Sequence, residues 1–405
     1  MGLDLSALSR QIRSMSHTLV AEVGDQNDRR QIALGRYLEE SANFEVWAHA
    51  ADQSLDTSAW LLARPIEPLN AIYDLPERPP SYALVATDGS QIDVERHGMA
   101  ACYVINIGRV FLRYGADPAA RLHSEPKLYY SEEDLYLNDN DGVRRLPIEG
   151  NFLSTKRDVE EGIALADLAD EYLVDSDLPC AAIQDGTLVR WTLANAEKFV
   201  QDRFLLPYLD YFERMRRRNI PVASYISRPR APEVSGTIRL MLCPDIQFED
   251  SKWANCSQCS DIAAGNQPSC QVCQGLTDAD ILGDMLEDGQ RGPIFASMSR
   301  INLERYGPHL IHFFYLRVGR EIARVEIPKW VAENREHVDL LHTLLYDQCM
   351  KGQGYPVALA RAHEQAIVRA ADRRAFLGLV ENSLLRAELP ASDSRKRESK
   401  ERQAL

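Results

Sequence analysis

The sequence predicts an α/β protein, a mixed sheet flanked by helices, with a helical arm ahead of it and a cysteine-rich insert within it. Three observations predict this. Residues 82–87 and 181–184 are short apolar runs, and each ends in an Asp-Gly-hydroxyl triplet, Asp88-Gly-Ser90 and Asp185-Gly-Thr187. Between them, residues 155–174 carry apolar side chains at helical spacing. Residues 240–292 then interrupt the alternation with two Cys-x-x-Cys pairs.

Composition sets the outer limits. The chain has 405 residues, 45% hydrophobic and 26% charged, which suits one large globular domain with extensions or two domains. No apolar run is long enough for a membrane span, and no basic region precedes an apolar stretch at the N-terminus. A cytoplasmic location is expected. The net charge of −14 argues against a protein that coats nucleic acid without specificity. It leaves a nuclease open, because bound cations neutralise an acidic metal site.

Residues 1–80 read as a helical arm, with periodic stretches at 29–40 and 45–62 and no assignable chemistry. The segment 81–385 reads as the main domain. Its first strand, 82–87, follows the breaker Arg78-Pro-Pro80 and leads to Asp88 at its tip. Strands at 99–107 and 110–114, parted by Gly108-Arg109, complete an antiparallel meander, and the polar span 115–150 reads as a loop.

On the helix 155–174, Glu161 lies on the stripe of Leu165, Leu168 and Tyr172, whereas Glu160 falls with Ala164 and Asp167. A carboxylate on a buried stripe needs a partner. Pro179 introduces the strand that ends at Asp185. Helices 195–204 and 208–218 follow, then a strand at 221–226. Three strands, helix, strand, helix, strand is the layout of a ribonuclease-H-like sheet, with acids at the first strand end, on the first helix and at the fourth strand end.

The insert 240–292 holds Cys256, Cys259, Cys270 and Cys273, with ten residues between the pairs. Four thiolates in two such knuckles suit a structural Zn2+, and an iron–sulfur cluster is the lesser alternative. Beyond it, 309–327 reads as a hairpin through Gly319, and 336–349 as a helix. Gly354-Tyr-Pro356 opens a last long helix, on which His363 shares a stripe with Leu359, Ile367 and Ala370. A lone His on such a stripe is more often a satisfied core residue than a ligand. Residues 386–405 read as a disordered tail.

Taken together, Asp88-Gly-Ser, the helix acid, Asp185-Gly-Thr-Leu, and Tyr355 with His363 eight residues on resemble the motifs of the NurA-type nucleases. The resemblance runs from about Tyr82 to Leu379, interrupted by the insert. It implies a Mn2+-dependent DNA nuclease (Mg2+ being the other candidate) with 5′-to-3′ exonuclease and single-strand endonuclease activity. It also implies a homodimer that works beside a HerA-type hexameric ATPase in the resection of double-strand breaks. Residue by residue it assigns Asp88, Glu161 (with Glu160 the fallback), Asp185 and His363 to the catalytic metal, with Tyr355 as a further catalytic residue. Arg228, Arg230, Arg361 and Arg369 are candidates for the DNA backbone, although surface ion pairing is the commoner role for any one of them.

The chain has no Gly-x-x-x-x-Gly-Lys-(Ser/Thr) loop, so processive action on duplex DNA needs a motor from elsewhere. Two other readings compete. Asp185-Gly-Thr-Leu is also the first-motif pattern of a haloacid-dehalogenase phosphatase, but position 183, where that chemistry needs a nucleophilic Asp, is Ile183. A non-catalytic repair adaptor with a degenerate site is disfavoured by an acid at every matching position.

Overall fold

The computed structural model describes residues 4–94, 100–139, 141–173 and 177–387. Most of the tail expected from residue 386 lies outside them. The chain is mixed α/β and forms two compact units. The first comprises residues up to 75 with 226–303 and 310–325, and the second comprises 76–225, 304–309 and 326 onward. Among the described residues no helix is long and apolar enough to cross a membrane.

The second unit is built on the strand Tyr82–Ile92, hereafter the Asp88 strand. It pairs antiparallel with Tyr103–Tyr114, which pairs antiparallel with Ala119–Tyr129. On its other side it runs parallel to Cys180–Asp185, the Asp185 strand, and that strand runs parallel to Val222–Ile226. Numbered along the chain, the order is 5-4-1-2-3 with the first three strands antiparallel, consistent with the expected ribonuclease-H-like sheet. Helix Asn151–Tyr172, the Glu161 helix, packs on it and on helix Lys198–Arg217.

Several local expectations change, among them the two helices expected at 195–204 and 208–218, which are the single helix Lys198–Arg217. The Asp88 strand does not stop at Thr87 but continues to Ile92, so Asp88 sits inside a ladder, opposite Gly108. Residues 103–114 form one strand rather than two, because Gly108 serves close packing and not a turn (below). The span 119–129, read as loop, is the third strand. Its side chains are exposed along nearly its whole length, so no buried stripe marked it in the sequence.

The first unit sets helices Leu5–Glu39 and Phe44–Ser54 around short strands Ala63–Pro65 and Phe295–Ser297 and the hairpin strand Ile311–Val318. Its core joins Tyr37, Trp47 and Ala51 from the N-terminal helices to Ile238, Cys273, Ile281 and Phe313. At its centre Asp278 is fully buried, accepting from the Val234 and Ser235 amides (3.0 and 2.8 Å) and from the Tyr315 hydroxyl (2.7 Å). Arg324 and Glu233 form a buried ion pair at 2.6 Å.

Candidate active site

The two Asp-Gly triplets each distribute three tasks over three residues. In the first, Asp88 Oδ1 accepts from the Gly89 amide at 2.8 Å, which fixes the carboxylate against its own backbone. Gly89 is where the Glu161 helix comes closest. A β-carbon there would lie 2.5 Å from Glu161 Oε1 and 2.8 Å from Arg157 Cγ, so only glycine leaves room for the acid. Ser90 donates its hydroxyl to the carbonyl of Ala366, and the Asn106 amide donates to the same oxygen at 2.7 Å. Ala366 is the last residue of helix Val357–Ala366, the His363 helix.

That helix lies directly on the neighbouring strand. A β-carbon on Gly108 would stand 2.0 Å from the Ala362 carbonyl oxygen and 2.6 Å from the Ala366 nitrogen. The close seat brings His363 Nδ1 to 2.7 Å from Asp88 Oδ2. The helix ends at Ala366 because Ile367 leaves helical geometry (φ −56°, ψ 127°), and a separate helix, Ala370–Arg386, follows. Ile367 and Ala370 therefore do not continue the His363 stripe. The side chain of His363 is 66% exposed and faces an acid, so it is not a core histidine.

In the second triplet Asp185 Oδ1 accepts from the Gly186 amide at 2.8 Å, and Gly186 takes the positive φ of +74° that the turn requires. Thr187 donates to Glu326 Oε2 at 2.9 Å, and the Leu188 amide donates to the same oxygen at 2.7 Å. Buried Glu326 thus anchors the loop after Asp185. Tyr355 hydrogen-bonds the Asp185 side chain and packs edge-on against Tyr225, with centroids 5.7 Å apart.

Asp88, Glu161 and Asp185 line one cavity of about 330 Å3 with Arg157, Asp158, Arg190 and Trp191. Glu161 is buried where Glu160 is not. Glu160 points instead toward Lys156, at 3.7 Å. The helix is pinned by Thr87, whose hydroxyl donates to the Glu161 carbonyl at 3.0 Å. Burial raises the Glu161 pKa to about 8, with the negative charges of Asp158 and Asp88 adding to it and Arg157 and Arg190 opposing. Burial, then the Asp88 charge, also raises Asp185, against the hydrogen bonds from Tyr355 and Gly186 and the charge of His363. Acids that hold one another's protons in this way form a site short of positive charge.

Sequence reasoning missed the arginine layer. Arg157 Nε lies 3.2 Å from Glu161 Oε1, and its Nη2 lies 3.1 Å from Asp158. Arg190 is buried, 2.6 Å from Asp158 and stacked 4.8 Å from the Tyr208 ring centroid. The available signal was Arg157 and Asp158 at four and three residues before Glu161, one turn back on the same helix face.

None of the four candidate DNA-backbone arginines lines this cavity. Arg361 is paired with Glu364 at 2.6 Å, Arg369 caps the last helix through Asp372, and Arg228 lies 3.6 Å from Glu321. Arg230 is exposed on the first unit. In the insert, Cys270 lies within electrostatic reach of Cys256, Cys259 and Cys273. Cys243 shares that reach, and Cys273 is buried in the core beside Ser235. The segments are tied by Ser260 N to Asp245 (3.0 Å) and Arg239 to the Cys270 carbonyl (3.0 Å). Among the described residues, no three His, Cys, Asp or Glu side chains stand close enough to hold a metal as they are.

A family model described as NurA domain matches residues 82–368, more than half of the chain. No curated protein matches it.

Proposed function

Since the chain belongs to the NurA family, whose members are nucleases of DNA-end processing, we propose that it is a Mn2+-dependent DNA nuclease. In this reading it has 5′-to-3′ exonuclease and single-strand endonuclease activity and works as a homodimer with a HerA-type ATPase. One observation carries the catalytic reading: three acids from a strand interior, a helix and a strand tip line one cavity, and His363 stands on the first of them.

The residues fit divalent cations. Two carboxylates with raised pKa values face a third acid and an imidazole, an oxygen-rich set with one nitrogen that suits Mn2+ or Mg2+. Asp88, Glu161, Asp185 and His363 would hold the ions, which when bound neutralise phosphate charge and acidify water. The protein's own groups do the rest. Tyr355, by donating to Asp185, fixes that carboxylate. Arg157 and Arg190 hold Glu161 and Asp158 in place through their ion pairs, and Trp191, held through its indole N–H to Thr187 at 3.3 Å, offers a face for a base. For the insert we propose a structural Zn2+ held by Cys256, Cys259, Cys270 and Cys273.

The test is cleavage of end-labelled single-stranded DNA with Mn2+, with and without EDTA. Asp88→Ala and Asp185→Ala are each expected to abolish cutting with little change in the thermal melt. Cleavage retained by both variants would place the chemistry elsewhere.

A further inference from the structure

The first unit carries a larger cavity, about 590 Å3, lined in part by Cys270 and Cys273 of the insert and assigned no role in cleavage. Its walls are mostly apolar, and its charged lining residues, Arg230 and Arg239, are both cationic. In a chain with 60 acidic and 46 basic residues, a cavity lined by two arginines and no carboxylate selects for an anion.

The rest of the lining describes what kind of anion. Trp60 lines the cavity and is 40% exposed, so part of its ring is open to a ligand. The Arg239 guanidinium lies 3.9 Å from its ring centroid, and its Nη1 donates to the Cys270 carbonyl at 3.0 Å, so the ring is pinned from one side by a fixed plane. Arg230 is exposed and has no ion-pair or hydrogen-bond partner among the described residues. The side-chain amides of Gln271 and Gln274 are likewise without partners among those residues, and an amide is both donor and acceptor. An aromatic face, an uncommitted cation and free amides around an apolar hollow match a nucleotide: a flat base, hydrogen-bonding edges and a phosphate.

We propose that this cavity is a second DNA site, taking one unpaired nucleotide of a single strand with its base against Trp60 and its phosphate on Arg230. The site rests on the DNA-nuclease reading and adds a holding point on the unit that does not carry the acids. Base stacking on one aromatic side chain is sequence-tolerant, so the site grips any strand and discriminates single from double strands, since a paired base has no free face.

The test uses the full chain carrying Asp88→Ala, which cannot cut, titrated against fluorescein-labelled dT12 by anisotropy. Adding Trp60→Ala is expected to weaken binding about tenfold, within the range for loss of one stacked base. Adding Arg230→Gln is expected to weaken it severalfold and to flatten the salt dependence by about 0.7 in log–log slope, one phosphate contact. On an abasic strand of the same length the Trp60 effect should vanish and the Arg230 effect should persist. Equal loss on both strands from Trp60→Ala, or no loss from either variant, overturns the site. If Trp60→Ala lowers the thermal melt, the exposed Arg230 carries the test alone. A wild-type protein that neither binds nor cuts DNA would sink the nuclease reading itself, whereas wild-type cutting with no Trp60 or Arg230 effect on binding sinks only this site.

Discussion

Glu161 is the residue on which most of the site's chemistry turns. Its carboxyl is raised to about 8, so in metal-free protein below that pH it is mostly protonated. A metal takes the carboxylate form, and binding must displace that proton. Mn2+ affinity should therefore rise with pH up to about 8 and level off above it. Calorimetry in two buffers of different ionisation heat should find a proton released at pH 6.5 and little at pH 9. The stability sign is fixed by the same shift. A carboxyl raised on folding contributes stability that is full below its unfolded pKa and is lost as pH rises through about 8. Metal-free protein should thus lose melting temperature between pH 5.5 and 8.5, and Glu161→Gln should flatten that slope. A slope unchanged in the variant would mean the proton sits elsewhere. Gly89 tests the same carboxylate by sterics. Gly89→Ala places a methyl 2.5 Å from Glu161 Oε1, and a displacement on the order of 1 Å at a reacting site costs about 100-fold in rate. The expected outcome is that loss in single-strand cleavage with a melt lowered by only a few degrees.

At the scale of elements, the readable parts were those whose burial leaves a period. The Asp88 and Asp185 strands and the Glu161 helix were visible as apolar runs and stripes, and their acids followed from them. The edge strand Ala119–Tyr129 was not, because its side chains face water and its order comes from pairing with Tyr103–Tyr114. His363 was legible as a residue but not in its environment. The continuous stripe with Ile367 and Ala370 was an artefact of reading two helices as one, and it is the close seat of the His363 helix on Gly108 that brings the ring to Asp88. Arg157 was legible only through its i, i+4 spacing to Glu161, and Arg190 was hidden because the acid it faces, Asp158, lies 32 residues away in the chain. The seat of the His363 helix gives an element-scale prediction. Gly108→Ala drives a methyl into backbone atoms that cannot rotate away, so the helix must lift and His363 must leave Asp88. Cleavage should fall far more than it does in His363→Ala, and the melt should drop, which Ser90→Ala, removing only an anchor to Ala366, should do by about 1 kcal/mol. If Gly108→Ala cuts as well as the parent, the helix does not position the site. The cysteine insert makes a claim of the same kind: elemental analysis should find one zinc per chain, and Cys256→Ser should remove it. Protein purified without chelator and free of zinc would refute the knuckle.

For the molecule as a whole, the governing quantity is charge. A chain of net −14 must bring a polyanion to a cavity lined by four acids, Asp88, Asp158, Glu161 and Asp185, against two arginines, Arg157 and Arg190, which already pair with acids. Without divalent cations the site repels its proposed substrate. Removing acids should then separate binding from chemistry. The double variant Asp88→Asn and Asp185→Asn deletes two negative charges from the cavity while keeping the side chains' size. It should cut nothing, yet in EDTA it should bind dT12 more tightly than the wild-type protein, with the gain larger at 50 mM salt than at 200 mM because the relieved repulsion is screened. Adding Mn2+ should strengthen the wild-type protein most and the double variant least, since the cations have lost two of their ligands. Anisotropy at both salt concentrations measures all of this. Equal affinity of variant and wild type in EDTA at low salt would mean that DNA does not pass the acids, and the cavity in the second unit would lose its claim to be where the strand is cut.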